Sequence, residues 1–241
     1  MEISLAAEKI FQIGSYPITN SLLTAWGVMI FLTVLAVLSY KRIKDVPSRF
    51  INFLELIIEG LFNLFNSVTQ DRKLTKKFFP IVATIFIFVI ISNWSEILPG
   101  MGSIGIKNHH IIPIFRAPSS DLNFTLGLAI ASVISVQIFG ILGIGFIKYI
   151  KKYINFKGPV NFFVGILELV SEFAKLISFS LRLFGNIFAG EVLLLVIAFL
   201  IPLFAPIPFY FLEIFVGFVQ ALIFSMLTLV FMTMAVKIAE H

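Results

Sequence analysis

The chain has 241 residues, 59% of them hydrophobic and 13% charged, whereas soluble domains run about 45–50% apolar and about 25% charged; this composition describes an integral membrane protein. With no cysteine, disulfides, thiolate metal sites and thiol catalysis are excluded. A net charge of +5 fits either nucleic acid or a membrane setting, and the placement of the basic residues argues for the second.

The first apolar run, Leu22 to Leu38, follows a polar stretch holding Glu2, Glu8 and Lys9 and stops at Lys41-Arg42, with no small-residue cleavage site. It reads as a retained span over 22–40 rather than a signal peptide. Next, over about 50–70, Asn52, Glu55, Glu59, Asn63, Asn66 and Gln70 recur at steps of three and four and mark one face of an amphipathic helix. Basic clusters flank it on both sides, so it is expected to lie along the interface instead of crossing. Spans follow at 78–98 and 122–147. The segment 159–200 has no internal proline or charge cluster able to end a helix, and it is far longer than a ~30 Å hydrocarbon core requires. Such a helix is either steeply tilted or broken at a glycine such as Gly165 or Gly185. Pro202, Pro206 and Pro208 force a turn before the last span, 209–236, giving an antiparallel hairpin.

The fold class read from this pattern is all-α: a polytopic membrane protein with five transmembrane helices plus one interfacial helix, in a single membrane domain over 1–241, its last two helices forming a long tilted hairpin. Thirteen of the 18 Lys and Arg residues fall on one side of these spans, against Lys9, Lys107 and Arg116 on the other. The positive-inside rule puts the N-terminus outside and the C-terminus in the cytoplasm. No internal repeat or low-complexity tract is present, and the loops are too short for a second domain.

Ionisable groups inside a span cost roughly 2.5–3.5 kcal/mol each on insertion scales, so each is a functional candidate by default. On the fifth span Glu168, Glu172, Lys175, Ser178, Arg182 and Asn186 follow steps of 4, 3, 3, 4 and 4, a single stripe along a helix. Glu168, Glu172 and Lys175 have a plainer reading too, as end residues that snorkel or pair with one another. That reading fails for Arg182, which lies too deep to reach water and cannot shed its proton. Its counter-ion is expected on another chain. Glu191 is half a turn out of phase with Arg182, while Glu213 and Gln220 share a face of the last span. Counting outward from the proline turn sets Glu191 and Glu213 at similar depth, where two carboxylates share a proton and titrate as a coupled pair. Asn93, Glu96, Asp121 and Asn123 add polar groups to this outer half. Asp121 and Asn123 equally fit helix capping after Pro118-Ser119-Ser120, and Glu96 equally fits exposure at the interface. His109 and His110 lack a third ligand at metal-binding spacing and read as loop residues; no metal or cofactor site is expected. Two polar zones separated by a fixed positive charge have the layout of two offset half-channels.

Ser180-Leu181-Arg182-Leu183-Phe184-Gly185-Asn186, followed by Ala189-Gly190-Glu191 and, farther on, by Gln220-Ala221-Leu222-Ile223-Phe224, closely resembles subunit a of the F-type ATP synthase. The resemblance runs the whole length, through Ile18-Thr19-Asn20-Ser21, Phe79-Pro80, Asn93 to Pro99-Gly100, and Asp121-Leu122-Asn123. It implies an ion-translocating stator subunit, not an enzyme on its own, that couples proton or sodium flow to rotation of a ring of c subunits and to ATP synthesis. It implies that Arg182 faces the ring carboxylates, with Asn186 and Gln220 near it. Glu191 and Glu213 would belong to the outer half-channel, Glu168 and Ser178 to the cytoplasmic one. The implied partners are the c ring, b-type peripheral stalk subunits, indirectly the catalytic head, and membrane lipid, with no nucleic acid and no cofactor. The implied location is an energy-coupling membrane, bacterial plasma or organellar. Two rival classes fit less well. A secondary transporter would carry repeats and Gly/Pro-interrupted helix pairs. A lipid-modifying enzyme would carry a clustered nucleophile and base or an acidic metal motif.

Overall fold

The computed structural model describes residues 7–14, 16–42, 49–97, 105–107, 111–153, 158–202 and 204–237. Its body is helical. Helix α1 covers Asn20–Arg42, α2 Arg49–Thr69, α3 Arg72–Trp94, α4 Leu122–Ile144, α5 Phe146–Tyr153, α6 Pro159–Leu200 and α7 Pro206–Lys237. All but α5 are long and apolar enough to cross a membrane. Large side chains such as Phe31, Leu142, Phe173, Phe199 and Phe211 point outward, as expected of helices surrounded by lipid rather than water.

Two short antiparallel pairs add to the all-α body. Strand β1 (Lys9–Ile13) pairs with β2 (Tyr16–Thr19) just before α1, and β3 (Gly105–Lys107) pairs with β4 (Ile111–Pro113) between α3 and α4. Backbone groups outside the helices are satisfied there by strand pairing. Short runs such as Tyr16-Pro17-Ile18-Thr19 carry too little alternation to announce it. His109 and His110 lie outside the described residues.

Helix α6 runs unbroken through Gly165 and Gly185. Its 42 residues span about 63 Å at ~1.5 Å per residue. Helix α7 returns against it: Phe179 meets Phe224 with ring centroids 5.1 Å apart, and Gly190 faces the Glu213 carboxylate. These pairs are equidistant from the turn, which fixes an antiparallel register and sets Gln220 level with Arg182 and Leu183. Proline opens both helices, where a missing N–H costs nothing.

Helix α7 is the inner element of the bundle, packed against α3, α4 and α6. Gly217, Ala221 and Ser225, four residues apart and buried, let the neighbouring backbones approach closely. Helix α4 presents a matching small-residue line at Thr125, Ala129, Ser132 and Gly140. In lipid, where helices gain little by hiding apolar surface from each other, such close contact supplies much of the association energy. Aromatic pairs Phe78–Phe139 and Phe86–Phe218 fill the remaining space.

Helix α2 docks only partly. Its buried residues, Ile51, Leu61, Phe65 and Thr69, concentrate at its C-terminal half, where Phe62 and Phe65 pack on Phe79 of α3. A two-residue turn joins α2 to α3: Gln70 takes a positive φ of 56°, and Asp71 caps α3 by accepting from Lys73 N at 2.7 Å. Lys237 at the end of α7 donates to Thr69 O at 3.3 Å, which ties the ends of α2 and α7 together.

Candidate functional site

Two groups of polar side chains meet the α6–α7 hairpin, one toward its turn and one toward its open end. The turn-side group forms where α1, the loop before α4, and α6 converge. Asp121 is buried and has two tasks. Its Oδ1 accepts from Asn123 N at 2.9 Å, capping α4, while its Oδ2 accepts from Ser21 Oγ of α1 at 2.6 Å. Asn123 takes part through its backbone, and its side chain is exposed. Asn20, fully buried, donates to Pro113 O at 3.3 Å.

Arg116 lies beside this junction. Its guanidinium bonds the Glu191 carboxylate through Nε at 3.3 Å and Nη2 at 3.1 Å, its Nε also reaches Ser120 Oγ at 3.0 Å, and it sits over the Phe188 ring. As a sequence it reads only as an outer-side charge for topology. In the fold it is the counter-ion of Glu191, with its side chain 8% exposed against 21% for the glutamate. The pairing spans 75 residues of sequence, beyond any helical periodicity.

Glu213 approaches from α7. It is buried, its carboxylate rests against the backbone at Gly190, and its Oε1 has no hydrogen-bond partner among the described residues. It lies within electrostatic reach of Glu191. One turn farther along α7, Gly217 O accepts from Asn93 Nδ2 at 2.9 Å, and Ile214 O accepts from Trp94 Nε1 at 3.0 Å. These bonds lock the end of α3 to the stretch of α7 that carries Glu213. Asn93 is buried, and its Oδ1 has no hydrogen-bond partner among the described residues. Glu96 falls in the 3-10 turn Ser95–Ile97, and its side chain lies outside the described set.

The open-end group lies on α6 with α4 and α5. Glu172 and Lys175 form an ion pair at 2.8 Å, and the Lys175 ammonium sits 4.6 Å from the centroid of Phe231 on α7. Glu168, half-buried, is within electrostatic reach of Tyr149. Tyr149 is buried and donates to Gln137 Oε1 at 2.5 Å; Tyr153 donates to the same oxygen at 3.1 Å. Burial foremost, then the Tyr153 hydroxyl and the charges of Glu172 and Glu168, push the Tyr149 phenol above its usual range, so it stays protonated and donating. Residues Gln137, Tyr149 and Tyr153 escape sequence reading because a lone glutamine within α4 and two tyrosines on a short helix form no pattern. Glycine at 140 is what admits the Tyr149 ring against α4.

Between the two groups, Ser178, Arg182 and Asn186 are exposed on the outward face of α6. Arg182 Nη2 donates to Ser178 Oγ at 3.3 Å, and no carboxylate among the described residues pairs with it. A shallow groove of about 270 Å³ runs between α6 and α7 past Lys175, Ser178, Phe179, Arg182, Leu227 and Phe231. Gln220 is buried at the level of Arg182, on the inner side of the hairpin.

Apolar outward faces, a bundle held by small residues, and ionisable groups within the two long paired helices define a polytopic integral membrane protein with charges inside its spans. The profile of the family described as ATP synthase A chain matches residues 22–233. Similar proteins include ATP synthase subunit a of Moorella thermoacetica, 31% identical over 92% of this chain and 93% of that relative. That of Legionella pneumophila is 32% identical over 99% and 96%, and the chloroplastic subunit of Oedogonium cardiacum 34% over 94% and 86%. The chain belongs to the ATP synthase A chain family, a membrane Fo subunit that is not catalytic by itself.

Proposed function

We propose that this chain is the stator half of a rotary ion path, with two offset half-channels that load and unload carboxylates on a ring of c subunits and Arg182 as the charge between them. The observation that carries this reading is the position of Arg182. A guanidinium keeps its charge at any physiological pH, and leaving one in lipid without an anion is costly. Here it stands on an exposed helix face with a serine as its partner, so the missing anion comes from a neighbouring subunit. The ring carboxylate supplies it.

The chemistry follows from solvation. A neutral carboxyl tolerates hydrocarbon and a carboxylate does not. A proton or sodium ion entering by the outer zone, of Asn93, Glu96, Asp121, Asn123, Glu191, Glu213 and Gln220, neutralises a ring carboxylate, which then travels through lipid. On return it meets the cytoplasmic zone of Glu168, Glu172, Lys175 and Ser178. There the nearby guanidinium favours the ionised form and the ion departs. The fixed charge of Arg182 also bars direct leakage between the zones, and Asn186 lies one turn from it.

In this reading five helices cross and α2 lies along the interface, in keeping with its docking by one half only. The N-terminus is outside and the C-terminus cytoplasmic, the site's partners are the c ring and b-type stalk subunits, and α6 and α7 are steeply inclined because their lengths exceed an upright span. The test is the intact complex reconstituted in vesicles with Arg182→Ala: assembly with the ring is retained and ATP synthesis is lost. Synthesis at the wild-type rate refutes the reading, and repeating the flux at varied sodium identifies the ion.

A further inference from the structure

The two outer carboxylates are not equivalent. Glu191 has a built counter-ion. Arg116 is held at its backbone N by Thr24 Oγ1 of α1 at 3.2 Å, at its Nε by Ser120 Oγ, and at its guanidinium by the carboxylate and the Phe188 ring. Contacts from α1, from the turn before α4 and from α6 therefore fix it in one place. Glu213, equally deep in the hairpin, has Gly190 backbone against its carboxylate and an oxygen without a hydrogen-bond partner among the described residues.

A group that passes ions must change its charge cheaply. Neutralising Glu191 strands a guanidinium that is almost wholly enclosed, and breaking an enclosed pair from one side is the costly case. Neutralising Glu213 strands no cation among the described residues. The glycine at 190 serves the same end, since any side chain there would meet the Glu213 carboxylate.

We infer that Arg116 is a positioning residue that engages Glu191 as a fixed counter-ion, so that ions in the outer half-channel are exchanged at Glu213. The inference rests on the ion-path reading above and divides labour within it. The pair Arg116–Glu191 shapes the path and fixes the α6 backbone beside Glu213, and Glu213 carries the exchange.

The test uses the whole complex in vesicles, with ATP-driven ion pumping normalised to assembled complex, for Arg116→Gln, Arg116→Lys, Glu191→Gln, the double Arg116→Gln/Glu191→Gln, Glu213→Gln and Arg182→Ala. Each single loss of a pair member leaves a stranded partner and lowers pumping on the order of 10-fold, while the double recovers most of that loss because both charges are gone. Arg116→Lys, which keeps the charge, loses less than Arg116→Gln. Glu213→Gln falls on the order of 100-fold with normal assembly, as expected when the exchanging group itself is removed. Where a single variant fails to assemble, the double decides: pumping supports the assignment, and a silent or unassembled double overturns it. Glu191→Gln as harmful as Glu213→Gln with no recovery in the double, or Glu213→Gln at the wild-type rate, also overturns it. Arg182→Ala separates the two levels. If it pumps normally the ion-path reading itself fails; if it is silent while the pair behaves otherwise than stated, only the role of Arg116 falls.

Discussion

Two arginines of this chain meet opposite fates. Arg116 comes from a loop and ends almost enclosed, bonded to a carboxylate of its own chain. Arg182 comes from the middle of the longest helix and ends on an exposed face with a serine hydroxyl. A cation whose anion is supplied internally is part of the architecture, and its removal is felt as instability. On the proposed reading, a cation with no carboxylate partner among the described residues is available to a neighbouring subunit, and its removal is felt as lost function.

The sharpest way to break this contrast is to remove each charge and measure both properties. Arg182→Ala is expected to abolish ATP synthesis in reconstituted complex while shifting the stability of the subunit by less than about 0.5 kcal/mol, the usual range for an exposed position. Arg116→Gln is expected to cost about 2–3 kcal/mol in denaturant-induced dissociation, below the 3–5 of a fully buried pair because Glu191 is one-fifth exposed. Equal destabilisation by the two substitutions would remove the distinction.

A second way is to crowd the free carboxylate. Gly190→Val places two methyl groups where Glu213 rests, and the overpacking is expected to cost about 1–3 kcal/mol together with a loss of ion pumping. Pumping unchanged in Gly190→Val would mean that Glu213 can leave Gly190 freely. Smaller again is Asp121→Ala, which removes both the α4 cap and the Ser21 bond; about 1–2 kcal/mol is expected from loss of a cap and a charge-assisted hydrogen bond. Asp121→Asn, keeping the cap, should lose less. The least effect belongs to Glu172→Gln. Its pair with Lys175 is a partly exposed i,i+3 contact, so at most about 1 kcal/mol of stability is at stake. A larger loss, seen in thermal dissociation of the complex, would show that the pair anchors the Tyr149 cluster.

The amino-acid order alone was enough for the six long helices and for the stripe on α6, though it ran the 122–147 span through Gly145, where a φ of 90° ends α4 and the short α5 begins. Apolar length and a 3.6-residue repeat are local properties, so 159–200 was readable as helical and Glu168 to Asn186 as one face of it, while a break at Gly165 or Gly185 stayed open until the fold showed a single helix. That no carboxylate lies within two turns of Arg182 on its own helix was also readable, because neighbours along a helix are a local property. Local rules likewise gave the proline turn, and from it the similar depth of Glu191 and Glu213. The α3 start at Arg72, several residues before the apolar run, and the two small strand pairs were not legible, since charged helix ends and short strands carry weak patterns. The partners of the charges were decided by the tertiary structure. Arg116 meets Glu191 across 75 residues and Ser21 meets Asp121 across 100, while Tyr149 turns inward to Gln137 because Gly140 leaves room. Charge and hydrogen-bonding capacity belong to a residue type, but which group answers them depends on which helices pack together, and that is settled by small-residue contacts distributed over the whole bundle.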